Sequence, residues 1–229
     1  MTGTHDGRRR AILAMDTATT RVVVATGSPD GVVDGITTWT AGYRHGETLL
    51  ATIGRFLGEQ NIRRSRLTGI VVGTGPGAFT GLRVGLATAK GLAHGLGLPI
   101  VGVSTAEALL SRAGTPGRRA VLLLPAGPSD RIVVRPGTSP ELLPGGQEPI
   151  LEAGDELIAV DLDDRAPADA IERGERARAG LGHALIEIGA SRLRSGDTDD
   201  LAGLVPDYVT LPRGVRQAAG AMAWSRDPR

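Results

Sequence analysis

A chain of 229 residues, 41% hydrophobic and 22% charged, has the composition of a folded soluble protein of one large domain or two small ones. The absence of cysteine excludes disulfide scaffolds, thiol catalysis, iron–sulfur clusters and cysteine-ligated zinc. A net charge of +1 supplies no field that would capture nucleic acid unaided, so any RNA is expected to be held by a partner. No apolar run approaches the roughly 18 residues of a membrane span, and residues 1–10 lack a signal-peptide core. The expectation is a cytoplasmic protein with no membrane contact.

The first structured segment, RAILAMDTATTRVVVATG at residues 10–27, reads as an apolar strand, a turn carrying Asp16, Thr17, Thr19 and Thr20, and a second β-branched strand. A third strand is expected over 32–40. From Glu47 the apolar period changes to about 3.6, with Leu49, Leu50, Ile53, Phe56 and Leu57 on one helical face, and this helix ends near Gln60 and Asn61. LTGIVVG at 67–73 returns to a buried strand. GTGPGAFTGLR at 73–83 then opens a second helix that ends near Gly95 or Gly97, with Pro99 as a stop. A short strand over 99–103 and a helix capped by Ser104 complete a β-β-β-α-β-α first half.

The strand–turn–strand reappears: AILAM…RVVV at 11–24 matches AVLLL…RIVV at 120–134, with an arginine opening the second strand each time. Its position at the start of each half fits a tandem duplication. In the second half, 137–154 reads as Pro- and Gly-rich loop and 155–162 as a strand. Leu181, Leu185 and Ile188 mark a helix between about Glu175 and Leu193; 206–211 reads as a last strand and 214–224 as a helix that docks back.

The glycine-rich loop fits neither common nucleotide motif. It ends in Thr80-Gly81-Leu82-Arg83 without the lysine of a Walker loop, and Thr80 stands where a dinucleotide fingerprint needs its third glycine. Two readings stay open: an anion site at an exposed helix N-terminus, or a tight strand-to-helix turn with Thr80 as the N-cap. The helix beyond carries an apolar stripe (Leu82, Leu86, Ala89, Ala93, Leu96) and a second surface of small residues (Gly81, Gly85, Thr88, Gly95). That surface either meets another subunit or marks a helix central to its own domain.

His5, His45, His94 and His183 never fall at i, i+3 or i, i+4 spacing, no serine sits in a nucleophile elbow, and no metal site or catalytic residue is assigned. The short basic clusters at Arg8–Arg10 and at Arg63, Arg64 and Arg66 read as solvated surface, with RNA contact the lesser reading.

ILAMDTAT, HGETLL, GTGPGAFTGLRVGLATAKGLA and GVSTAEAL occur in order over residues 12–110. In this the chain resembles the TsaB (YeaZ) family, a subunit of the bacterial tRNA threonylcarbamoyladenosine machinery. The resemblance implies an α/β, actin-like (ASKHA, RNase H-like) fold of two duplicated lobes, the second degenerate. The lobes are expected at 10–112 and 113–213, with a helix over 214–225 docked on the first. It further implies a non-catalytic partner of a TsaD-like catalytic subunit, joined by a TsaE-like ATPase, with tRNA met through the complex and a homodimer possible when alone. No cofactor is expected on this chain by itself; ATP or ADP and metal belong on the partner subunits.

By the same resemblance the partner interface falls on the two first-lobe helices, at His45, Leu49, Ile53, Thr80, Gly81, Arg83, Val84, Gly85 and Thr88. Asp16, Thr17, Thr19, Gly75 and Gly77 would form a vestigial phosphate loop. Phosphotransferases of the actin and sugar-kinase type place glycine two residues after the aspartate; here that residue is Ala18, which disfavours hydrolysis. The second lobe departs from the family pattern at Pro125 to Ile132. The rival readings are a glycoprotease-type peptidase and an ATP-dependent phosphotransferase.

Overall fold

The computed structural model describes residues 10–40 and 45–209. Strands β1 (Ala11–Asp16), β2 (Arg21–Gly27) and β3 (Val33–Thr40) form an antiparallel meander. Helix α1 (His45–Glu59) follows, then β4 (Leu67–Gly75), α2 (Phe79–Leu96), β5 (Ile100–Ser104) and the short α3 (Thr105–Leu110). β4 pairs parallel to β1 and β5 parallel to β4, giving the order β3-β2-β1-β4-β5. β1 and most of β2 and β4 are buried on both faces, which explains their unbroken apolar sequence in place of an alternating one.

The second half repeats the plan. β6 (Arg119–Ala126) and β7 (Asp130–Val134) form a hairpin, β8 (Glu141–Leu143) adds to its edge, and β9 (Asp155–Ala159) returns parallel to β6. The order β8-β7-β6-β9 is that of the first four strands of the first sheet, as the duplicated sequence predicts. Two helices close the described chain, α4 (Ala168–Ala179) and α5 (Leu181–Ser195).

The three hydrophobic clusters set the layers. α1 and α2 cover the outer face of the first sheet, through Leu49, Ile53, Phe56, Leu86 and Ala89 on Leu13, Met15, Val24 and Ile70. α3 and α5 lie between the two sheets, and α4 covers the outer face of the second. α5 belongs to the second half of the sequence but packs on the first sheet: a Cβ at Gly189 would lie 2.3 Å from Val71 Cγ2, and one at Gly182 would lie 3.2 Å from Val23 Cγ1.

Several sequence expectations change. The single helix over 175–193 is two helices broken at Gly180, because α4 faces the second sheet and α5 the first. The loop over 137–154 contains β8. α2 is capped by Ala78, so Thr80 is its second residue and not its N-cap. Ser104 does cap α3, accepting a hydrogen bond from the Glu107 N–H at 3.3 Å, and Gly97 ends α2 at φ 63°. Residues 206–209 form no strand, although the Asp207 N–H donates to the Thr74 carbonyl at 2.8 Å. The expected helix over 214–225 lies outside the described residues. Among the described residues no helix is long and apolar enough to cross a membrane.

Candidate functional site

Two places carry the expected site residues: the turn between β1 and β2, which faces the second lobe, and the outer surface of α1 and α2.

At the turn, Asp16 is fully buried and accepts from the Thr105 hydroxyl at 2.6 Å and from the Ala18 N–H at 2.8 Å. Burial raises its pKa above the ordinary carboxylate value. The two hydrogen bonds oppose the rise, and the Asp161 charge adds to it. The carboxylate also explains Gly73, where a Cβ would lie 1.8 Å from Asp16 Oδ2. Thr105 accepts in turn from the Gly75 N–H at 3.0 Å.

The other groups of the turn are also engaged. The Thr17 hydroxyl donates to the Gly81 carbonyl at 2.7 Å and the Thr19 hydroxyl to the Arg21 carbonyl at 2.8 Å. Gly77 lies against the turn, with its Cβ position 2.3 Å from the Ala18 carbonyl, to which the Ala78 N–H donates at 2.7 Å. Asp161, just past β9, accepts from both the N–H and the hydroxyl of Thr20 at 2.6 Å, and from Arg178 at 2.7 Å.

Asp16, Thr17, Thr19, Gly75 and Gly77 lie together around internal partners. A phosphate entering this turn would meet the Asp161 carboxylate on the donors it needs. The residues present do not fit a nucleotide phosphate. Among the described residues no group of three or more His, Asp or Glu side chains is placed to hold a metal ion.

The two-helix surface sorts the expected interface residues by depth. Leu49 and Ile53 are core, at 1% and 2% exposure, and fasten α1 to the sheet. Gly81 and Gly85 point inward: a Cβ would lie 2.0 Å from the Thr17 carbonyl at Gly81 and 2.2 Å from Thr17 Oγ1 at Gly85. Their smallness serves the close approach of α2 to the β1–β2 turn. These four residues are corrected from partner-facing to intramolecular.

Thr80 and Arg83 are exposed, Val84 and Thr88 half-buried, and His45 opens α1. The Arg83 guanidinium lies 5.3 Å from the Phe79 ring centroid, and Phe79 in turn lies 5.1 Å from Tyr208.

Outward-facing residues form two ladders at four-residue spacing, Leu50, Gly54 and Gly58 on α1 and Ala87, Gly91 and Gly95 on α2. Among the described residues nothing lies within 4 Å of a Cβ built at any of the four glycines. Between the ladders runs a groove of about 280 Å³ with Leu13 and Leu67 in its floor and Arg64 on its rim. Leu50 stands 56% exposed beside it. The i, i+4 spacing of these glycines was present in the sequence; only the sheet's position separates them from the buried pair.

Two sheets of one strand order, each a hairpin with a parallel return strand and meeting across a filled cleft, define a duplicated actin-like (ASKHA) α/β protein. The family model described as "TsaD: tRNA N6-adenosine threonylcarbamoyltransferase" matches residues 28–142. The chain belongs to this family. It is 37% identical over 94 residues to the tRNA threonylcarbamoyladenosine biosynthesis protein TsaB of Escherichia coli, covering 41% of this chain and 40% of that one. It is 39% identical over 97 residues to the tRNA N6-adenosine threonylcarbamoyltransferase of Paracoccus denitrificans, covering 41% of this chain and 27% of that one. The chain thus spans less than half the length of the curated relatives it matches. The solved structure of YeaZ from Pseudomonas aeruginosa has the same fold, with TM-score 0.68 at 22% identity over 87% of this chain and all of that one.

Proposed function

We propose that this chain is a non-catalytic subunit of the machinery that forms N6-threonylcarbamoyladenosine at position 37 of tRNA, docking a TsaD-like catalytic subunit on the open face of α1 and α2. The observation that carries the reading is the pair of outward glycine ladders. Glycine inside a helix forfeits about 1 kcal/mol relative to alanine, and here no close contact with another described element explains any of the four. A second helix pair approaching closely is what such a surface accommodates. The filled cleft supports the same reading, because the turn that would cradle phosphate in a phosphotransferase is committed to Asp161 and Thr105. In this reading ATP or ADP and any metal reside on the TsaD-like subunit and on a TsaE-like ATPase, in the cytoplasm.

The test separates docking from folding. Gly91→Arg places a long side chain where no described residue lies within 4 Å of the Cβ, so the monomer keeps or raises its melting temperature. Its association with the TsaD-like subunit, measured by calorimetry, falls by about a hundredfold or more, as expected for a charge buried in the centre of an interface. Undiminished association of Gly91→Arg overturns the face assignment. Full tRNA modification by the TsaD-like and TsaE-like subunits without this chain overturns the role itself.

A further inference from the structure

The near-zero net charge hides a strong separation. Residues 60–106 contain Arg63, Arg64, Arg66, Arg83 and Lys90 and no Asp or Glu, leaving the rest of the chain at a net −4 against +1 for the whole. The fold then concentrates the cations. Arg64–Arg66 is a single 3-10 turn leading into β4, and Arg63 immediately precedes it. In the parallel pairing of β1 with β4, Ala11 is the Cα partner of Leu67. Arg10 and Arg66 therefore lead into neighbouring strands whose backbones run about 4.8 Å apart. Arg10 and the Arg63, Arg64 and Arg66 cluster, far apart in sequence, meet at one end of the first sheet.

All four arginines are exposed, and among the described residues none of their side chains is given an acidic partner. Most other arginines are engaged. The nearest acid in sequence, Glu59, is paired with Arg55 at 3.6 Å, while Arg119, Arg131, Arg173, Arg176, Arg178 and Arg192 each hold a carboxylate. A cluster of unpaired guanidiniums on a turn repels itself and gains only when an anion of matching density arrives. Among the described residues no aromatic side chain stands with them, so the surface offers charge and hydrogen-bond forks without a described stacking platform for bases. That is the chemistry of a phosphate-backbone contact that positions a nucleic acid without reading it.

We infer that Arg10, Arg63, Arg64 and Arg66 form a ridge that contacts the phosphate backbone of tRNA directly. The ridge adjoins the α1–α2 groove through Arg64, which puts it beside a subunit docked there and within reach of RNA that subunit holds. The inference rests on the assignment of the chain to tRNA modification, and it makes the chain an RNA-contacting subunit in its own right.

The experiment measures binding of a fluorescein-labelled tRNA transcript by anisotropy, with the full chain alone and with the TsaD-like subunit, between about 50 and 200 mM salt. Arg63→Glu with Arg66→Glu leaves the groove-rim Arg64 intact; Arg118→Glu with Arg176→Glu makes the same charge change on the second lobe. The first pair weakens tRNA binding about tenfold or more and flattens the slope of log affinity against log salt by about 1.5, while the second pair changes affinity less than threefold. Association with the TsaD-like subunit is unaltered by either pair. Equal losses in the two pairs, or no binding of tRNA to the wild type in either setting, overturn the ridge. So does loss of subunit association with tRNA affinity intact, which would assign the arginines to an acidic protein surface. Failure of the subunit role, by contrast, shows as absent association in the wild type.

Discussion

At the scale of single residues, the interlobe cleft is governed by two aspartates with opposite demands. Asp16 is held away from water with its pKa raised, chiefly by burial. Its folded state thus keeps a proton that the unfolded chain releases near pH 3.8, so stability is fully present at low pH and declines as pH rises through the raised folded value. Asp16→Asn removes this titration. In urea unfolding series from about pH 4 to 7, the wild type loses stability relative to Asp16→Asn as pH rises, and parallel profiles would refute the assignment. Asp161 works as a charge already paired. It and Arg178 are 4% and 10% exposed, and Asp161→Ala leaves the Arg178 Nη1 and the Thr20 N–H without their carboxylate, although Arg178 Nη2 keeps Glu175. The loss is about 3 kcal/mol by denaturant titration. Asp161→Gly suffers the same loss of pairing but fits the left-handed backbone, φ 57°, more easily and so sits closer to wild type than alanine does.

At the scale of elements, α2 shows what a sequence discloses and what it withholds. The β-branched strands, the period of α1, the Ser104 cap and the Gly97 stop were legible because each is set by neighbours within a few residues. The repeat AILAM…RVVV and AVLLL…RIVV foretold two sheets of one strand order. The break at Gly180 was not legible, since the apolar stripe Leu181, Leu185 and Ile188 lies in α5 alone and α4 is too polar to mark its own bounds. Nor was the division of α2's glycines: Gly81 and Gly85 meet Thr17, while Gly91 and Gly95 meet nothing, a distinction that lives in tertiary distances. Alanine substitution measures that distinction. Gly81→Ala drives a methyl to 2.0 Å from the Thr17 carbonyl and lowers stability by about 3 kcal/mol, whereas Gly91→Ala raises it by up to about 1 kcal/mol. Thermal melts of the two variants shifting in the same direction would overturn the picture of one helix with a welded and an open face.

At the scale of the whole molecule, the duplication divides the strands but not the core. The inner face of the first sheet, lined by Ile12, Ala14, Val23, Ala25 and Val71, is covered by α5, which the second half of the sequence supplies. Leu181, Leu185 and Ile186 are each 0% exposed there. At about 1.5–3 kcal/mol for each large aliphatic side chain, these three alone contribute about 5–9 kcal/mol, comparable to the whole stability of a typical domain. A fragment of residues 1–112 therefore has its sheet and its outer helices but only the short α3 in its inner layer. It is expected to show helical and strand circular dichroism without a cooperative melt, to bind a hydrophobic dye, and to regain a cooperative transition when residues 113–229 are coexpressed with it. A sharp two-state melt of the isolated fragment would mean that the first lobe closes its own core. Coupling of this kind makes the open α1–α2 face rigid by proxy: α5 braces the sheet from within, the sheet braces the two helices, and the groove between them is presented without further ordering to whatever docks there.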